Sequence, residues 1–238
     1  MRSLQRLILS GSLAAALFAT AGGLQAAPAT AAEQWLNDYY KKPAPEQFSA
    51  AISELSESGY FEEAGHVPLA IGFIASVFAE NPGKINEWMD LGRSLPEAHQ
   101  RLLVAALWYS GNSEGRSYLR QFAQDCSPTL RQEILARVDA QPEVGAAEVR
   151  SVSSLNLEWG VFLATGEKAP IRNILGALGR DNDTQLNHDV RWTLAQNAAE
   201  HSRVLAICRE ELDRQPNAIR ETLRAVINDT EARHTPST

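Results

Sequence analysis

Five histidines, two cysteines and a segment crowded with carboxylates are the side chains in this sequence that could do chemistry. His66 follows Glu63 at i, i+3. Such a pair is a fragment of a carboxylate-bridged di-metal bundle, which needs two Glu-x-x-His pairs and two further Glu. Only one pair occurs and Gly65 interrupts it, so a polar loop junction is the better reading and no metal site is assigned. Asp181, Asp183, Asn187, His188 and Asp189 fall together, but without the glycine and distal Glu of a calcium loop. Asp183 suits the cap of a helix running through Val190 and Leu194. His99, His201 and His234 belong to no motif, and the chain has no H-E-x-x-H, C-x-x-C, G-x-S-x-G or G-x-G-x-x-G. No catalytic, cofactor-binding or metal residue is therefore assigned, and no cofactor is expected. An enzyme here would have to assemble its groups in space from scattered positions.

Two further groups bear on function. Trp35, Tyr39 and Tyr40, followed by Lys41 and Lys42, make an aromatic-basic cluster. It reads either as a partner surface, together with Asp181, Asp183 and His188, or as a first helix docked by its aromatics onto the body of the protein. Aromatic burial favours docking. Cys126 and Cys208 could be bridged in an oxidising compartment, closing a long loop worth about 4–5 kcal/mol in the chain-entropy description. They could equally be two separate thiols that pack as small hydrophobes.

The elements that must position these groups are helices. Phe48, Ile52 and Leu55 recur at helical spacing, as do Ile171, Ile174, Leu175 and Leu178, and Ile219, Leu223, Val226 and Ile227. Pro45, Pro96, Pro128 and Pro216 stand at segment starts; Ser94 with Glu97 reads as a capping box, and Ser127 as a cap. Gly59, Gly83, Gly92, Gly111, Gly166 and Gly179 fall near segment ends. Three segments, Val67–Phe78, Leu102–Tyr109 and Leu155–Leu163, are apolar almost all round and should be enclosed, whereas Gly115–Gln124 and Val204–Gln215 keep a polar face. Aligning Gly111 on Gly166 superposes two helix-glycine-helix units. The expected fold is all-α: stacked antiparallel helical hairpins, solenoid-like, in one domain over 33–233 with a joint between two lobes near 140–147 and a disordered tail at 234–238. Ala206–Pro216, with a proline closing the unit, resembles the end of a tetratricopeptide repeat, although the Trp, Leu-Gly and Tyr positions of the full repeat have no counterpart. That resemblance implies a concave surface for a protein or peptide partner.

Arg2 and Arg6, the apolar run Leu7–Phe18 and small residues around Ala26 read as a cleavable secretory signal over 1–26, with cleavage as late as 31. The run is too short to span a bilayer, and no integral membrane segment is expected after cleavage. The net charge is −7, and removal of Arg2 and Arg6 makes it −9. Nucleic acid is disfavoured as a partner by that charge; a basic protein is not. The sequence thus predicts a periplasmic or secreted binding module, such as an envelope adaptor, assembly factor or immunity-type inhibitor. The rival readings are an envelope-acting enzyme and a secreted host-directed factor.

Overall fold

The computed structural model describes residues 29–140, 148–178 and 184–234. The expected signal segment, the 141–147 part of the joint, Asp181, Asp183 and residues 235–238 lie outside them. The described residues form twelve α-helices and no strand, so the fold is all-α. They are α1 (Ala31–Asp38), α2 (Phe48–Glu57), α3 (His66–Glu80), α4 (Ile85–Gly92), α5 (Glu97–Tyr109), α6 (Ser113–Asp125), α7 (Pro128–Leu135), α8 (Val152–Thr165), α9 (Lys168–Leu175), α10 (Thr184–Glu200), α11 (Ser202–Glu211) and α12 (Asn217–His234). No described helix is long and apolar enough to cross a membrane. His234, expected in a tail, closes α12.

The three nearly all-apolar segments become α3, α5 and α8, and they pack on one another with α3 in the middle. Contact between α3 and α8 is backbone to backbone. A Cβ placed on Gly72 would stand 2.1 Å from the Leu157 carbonyl oxygen, and one on Gly160 would stand 1.9 Å from that of Leu69. The two glycines thus let the helices approach until main-chain atoms touch, a distance at which any side chain is excluded. Asn156 donates to the Gly65 carbonyl at 3.0 Å, tying the first turn of α8 to the entrance of α3.

Around this pair the outer helices close by their apolar stripes. Trp35 and Tyr39 of the N-terminal segment meet Phe73 edge to face at 5.1 and 5.3 Å. Phe48 of α2 stacks on Trp88 of α4 at 4.3 Å. The Trp35 indole donates to the Ala44 carbonyl. Helix α9 packs on α8, α11 on α9, and α10 on α12. Glu211, buried in α11, is clamped by Arg172 from α9 and by Arg214.

Capping follows the sequence only in part. Ser127 caps α7 as expected. Ser94 does not box with Glu97: its hydroxyl bonds back to Leu91, and Pro96 occupies the cap of α5. Thr30 with Glu33 and Ser151 with Ser154 form the capping boxes instead. Gly111 and Gly166, aligned in the sequence, both take left-handed backbone, each after an apolar helix. At Gly166 a side chain is doubly barred, because the Tyr40 ring stands 2.8 Å from where its Cβ would be.

Replacing Gly160 or Gly72 by alanine should separate α3 from α8 and cost about 3 kcal/mol or more, the upper range for overpacking. Thermal unfolding followed by circular dichroism should show a Tm lower by about 6–12 °C for a domain of this size. Gly83→Ala, where a Cβ meets nothing within 4 Å, should leave Tm nearly unchanged.

Candidate functional site

The residues of greatest chemical interest gather where α2 ends, the turn Tyr60–Glu62 follows, and α5 passes beneath. His99 of α5 is buried. Its Nδ1 lies 2.7 Å from the Ser56 hydroxyl and its Nε2 3.3 Å from a Glu62 carboxylate oxygen. With Nδ1 accepting from Ser56 the ring proton sits on Nε2, which faces the exposed Glu62 carboxylate at ion-pair distance. Phe61 covers the ring edge-on at 5.2 Å. Three elements thus converge on a serine, a histidine and a carboxylate, a constellation that the spacing of 43 positions between Ser56 and His99 conceals in the sequence.

The neighbouring pair is a loop junction, as the sequence reading holds. His66 donates from Nδ1 to the Tyr60 carbonyl at 3.1 Å, stacks on the Tyr60 ring at 4.0 Å, and presents Nε2 to Glu63 at 3.5 Å. Burial pushes the Tyr60 phenol above its ordinary pKa. No group of three metal-ligating side chains occurs among the described residues.

The same corner is acidic. From Pro43 to Gly83 the chain carries Glu46, Glu54, Glu57, Glu62, Glu63 and Glu80, and neither Lys nor Arg. Glu57, Glu62 and Glu63 are exposed and Glu54 is half-buried. Among the described residues, these four make no ion pair with a Lys or Arg; Glu62 and Glu63 meet only His99 and His66. Elsewhere several carboxylates are matched: Glu97 and Glu133 share Arg101, and Glu231 faces Arg209. The absence of Lys and Arg between Lys42 and Lys84 is a sequence signal, and the composition of the whole chain masks it.

The residues first considered for a partner surface divide. Trp35 and Tyr39 are buried, so the surface reading is corrected in favour of docking: both rings are needed to cover Phe73. Tyr40 is half-buried, its hydroxyl 3.3 Å from Nδ1 of His201. His188 is exposed beside Asp189. Asp181 and Asp183 fall outside the described residues. Cys126 and Cys208 are free thiols, one at the end of α6 and one buried in α11, so the bridge considered from the sequence is not formed. Burial raises the Cys208 pKa to about 12 and also raises that of Cys126.

A cavity of about 450 Å³ lies between Lys41 and helices α10, α11 and α12, lined among others by Glu200, Ser202, Leu205, Arg209 and Glu231. Its charges are of both signs and offer no preference for an anion or a cation. His201, between Glu200 and Ser202, is buried against Phe162 and Tyr40. Burial, reinforced by Lys41 and opposed by Asp38, lowers its pKa to about 4.

Comparison with protein-family models, with curated proteins and with solved structures found no match.

Two outcomes follow. His201 binds its proton less readily folded than unfolded, so it costs no stability above its ordinary pKa of about 6.5. As pH falls from there toward 4 the folded state loses about 1.4 kcal/mol per unit, about 2 kcal/mol at pH 5. Urea unfolding at pH 7 and pH 5 should show this loss, and His201→Asn should lack it. Thiol labelling of the native protein should modify Cys126 alone, with Cys208 reacting only after denaturation.

Proposed function

We propose that this chain is an exported helical module that binds another protein, and that its contact surface is the acidic corner formed by Glu54, Glu57, Glu62 and Glu63. The observation that carries the reading is the concentration of four carboxylates there without a Lys or Arg pair, in a stretch of sequence that has neither residue. An exposed carboxylate without a cationic neighbour keeps its full field and gains most from a basic partner, which it attracts over roughly a Debye length, about 8 Å at physiological salt. The cavity beside Lys41, and a second one beside Trp35 lined by Asp38, Lys42 and Glu46, are surface recesses with charged side chains in their linings. That favours recognition across a surface over capture of a small molecule in a dry apolar pocket.

In this proposal residues 1–26 are the export signal, and the work is that of a periplasmic or secreted adaptor, assembly factor or immunity-type inhibitor. The finer architecture belongs to the same reading. The hairpins α5–Gly111–α6 and α8–Gly166–α9 are two units of a solenoid-like stack, with α3 shared between them.

Affinity capture from the envelope fraction, with crosslinking and mass spectrometry, should yield a basic partner. Binding should weaken steeply with salt. Replacing the four Glu by Gln should weaken it about thirtyfold, taking each exposed ion pair as about 0.5 kcal/mol. A partner held with equal affinity by the quadruple variant would remove this surface from the proposal.

A further inference from the structure

We propose that Ser56 is a nucleophile, activated by His99 and Glu62, that accepts an acyl or phosphoryl group from an activated ester. Three observations carry it. The hydroxyl and the imidazole nitrogen are 2.7 Å apart, within the range of a working nucleophile–base pair. The second ring nitrogen faces a carboxylate at 3.3 Å, placed to favour the imidazolium that forms when the serine proton is taken. And the base is buried while the serine is only half-buried, so the ring is held in place beside a hydroxyl that a reagent can approach. None of His66, His188 and His201 matches this: His188 is exposed and lies beside Asp189. His66 directs Nδ1 at a carbonyl, which has no proton to give, and His201 faces a phenol.

The step balances within these groups and the donor. The Ser56 Oγ–H proton moves to Nδ1 of His99 as an oxygen lone pair forms the new bond to the carbonyl carbon or phosphorus. The bond from that atom to its leaving group breaks, the leaving group takes the electron pair, and His99 returns the proton to it. Nε2–H stays on Glu62 throughout.

The position of Ser56 also limits the donor. It lies in the last turn of α2, where the helix dipole presents its negative end and disfavours an oxyanion. The site must therefore rely on a good leaving group, and it fits activated esters rather than amides. This inference shares Glu62 with the binding surface but is tested separately: its readout is an adduct on Ser56, and the acidic corner can capture a partner without Ser56 or His99.

The test is reaction of the full-length protein with a fluorophosphonate ester, followed by peptide mass spectrometry. The expected result is one adduct on Ser56, absent from Ser56→Ala. In His99→Gln the labelling rate should fall about a hundredfold or more, the lower range for loss of a general base. Circular dichroism and thermal melting report whether each variant is folded. Should His99→Gln be unfolded, the pH profile of wild-type labelling decides instead: a sigmoid with a plateau supports the proposal. A rate that rises tenfold per pH unit up to pH 9 overturns it. So does the absence of an adduct, or an undiminished rate in folded His99→Gln.

Discussion

Two glycines in contact set the geometry of this molecule. Because neither Gly72 nor Gly160 has a side chain, α3 and α8 lie with main-chain atoms against each other. Side chains that would otherwise separate the helices are displaced to the flanks. Phe73, next to Gly72, is turned toward Trp35 and Tyr39 and gives the N-terminal segment its anchor. At the other end of α8, the bare Gly166 receives the ring of Tyr40. Asn156 reaches the Gly65 carbonyl only because α8 is this close, and that bond braces the turn that carries Glu62 and Glu63. Both the docked N-terminus and the acidic corner depend on this one close approach, and its measure is distance: a methyl at either glycine would stand 1.9–2.1 Å from a backbone oxygen, far inside van der Waals contact.

Charge is distributed unevenly on this frame. On the helices around α9, α11 and α12 acids and bases are interleaved, so Glu211, Glu210 and Glu231 each find an Arg or Lys. Around α2 the sequence supplies no Lys or Arg between Lys42 and Lys84, and among the described residues the fold pairs none from another element with these four carboxylates. The two histidines there are too few to neutralise four carboxylates. The field at that corner is therefore a property of the fold as well as of the composition.

Much of this architecture is legible in the sequence. Val67–Phe78, Leu102–Tyr109 and Leu155–Leu163 have no polar face, and a helix of that kind must be enclosed; they form the central three. Gly111 and Gly166 end helices because left-handed backbone favours glycine. Other features escape a one-dimensional reading. Gly72 and Gly160 look like ordinary interruptions in apolar helices until the partner backbone is seen. The Ser94–Glu97 pattern fails because Pro96 takes the cap. Ser56, His99 and Glu62 come from three elements, and no local spacing announces them.

Buried polar groups explain how a largely apolar set of helices holds one register. Apolar stripes slide over one another at modest cost, whereas a buried polar group loses its hydrogen bond if its partner shifts. Three such groups here reach a different element: His99 joins α5 to α2, Glu158 joins α8 to Asn173 of α9, and Glu211 joins α11 to α9. Burial raises the Glu158 pKa, and the bond from Asn173 only partly offsets it, so that carboxyl has the least support of the three. The buried Trp159 indole N–H, next to Glu158 on α8, meets no acceptor among the described residues. Polar pairing is therefore tightest at the α2–α5 and α9–α11 contacts and weakest along α8, the helix whose position the two glycines already fix by contact.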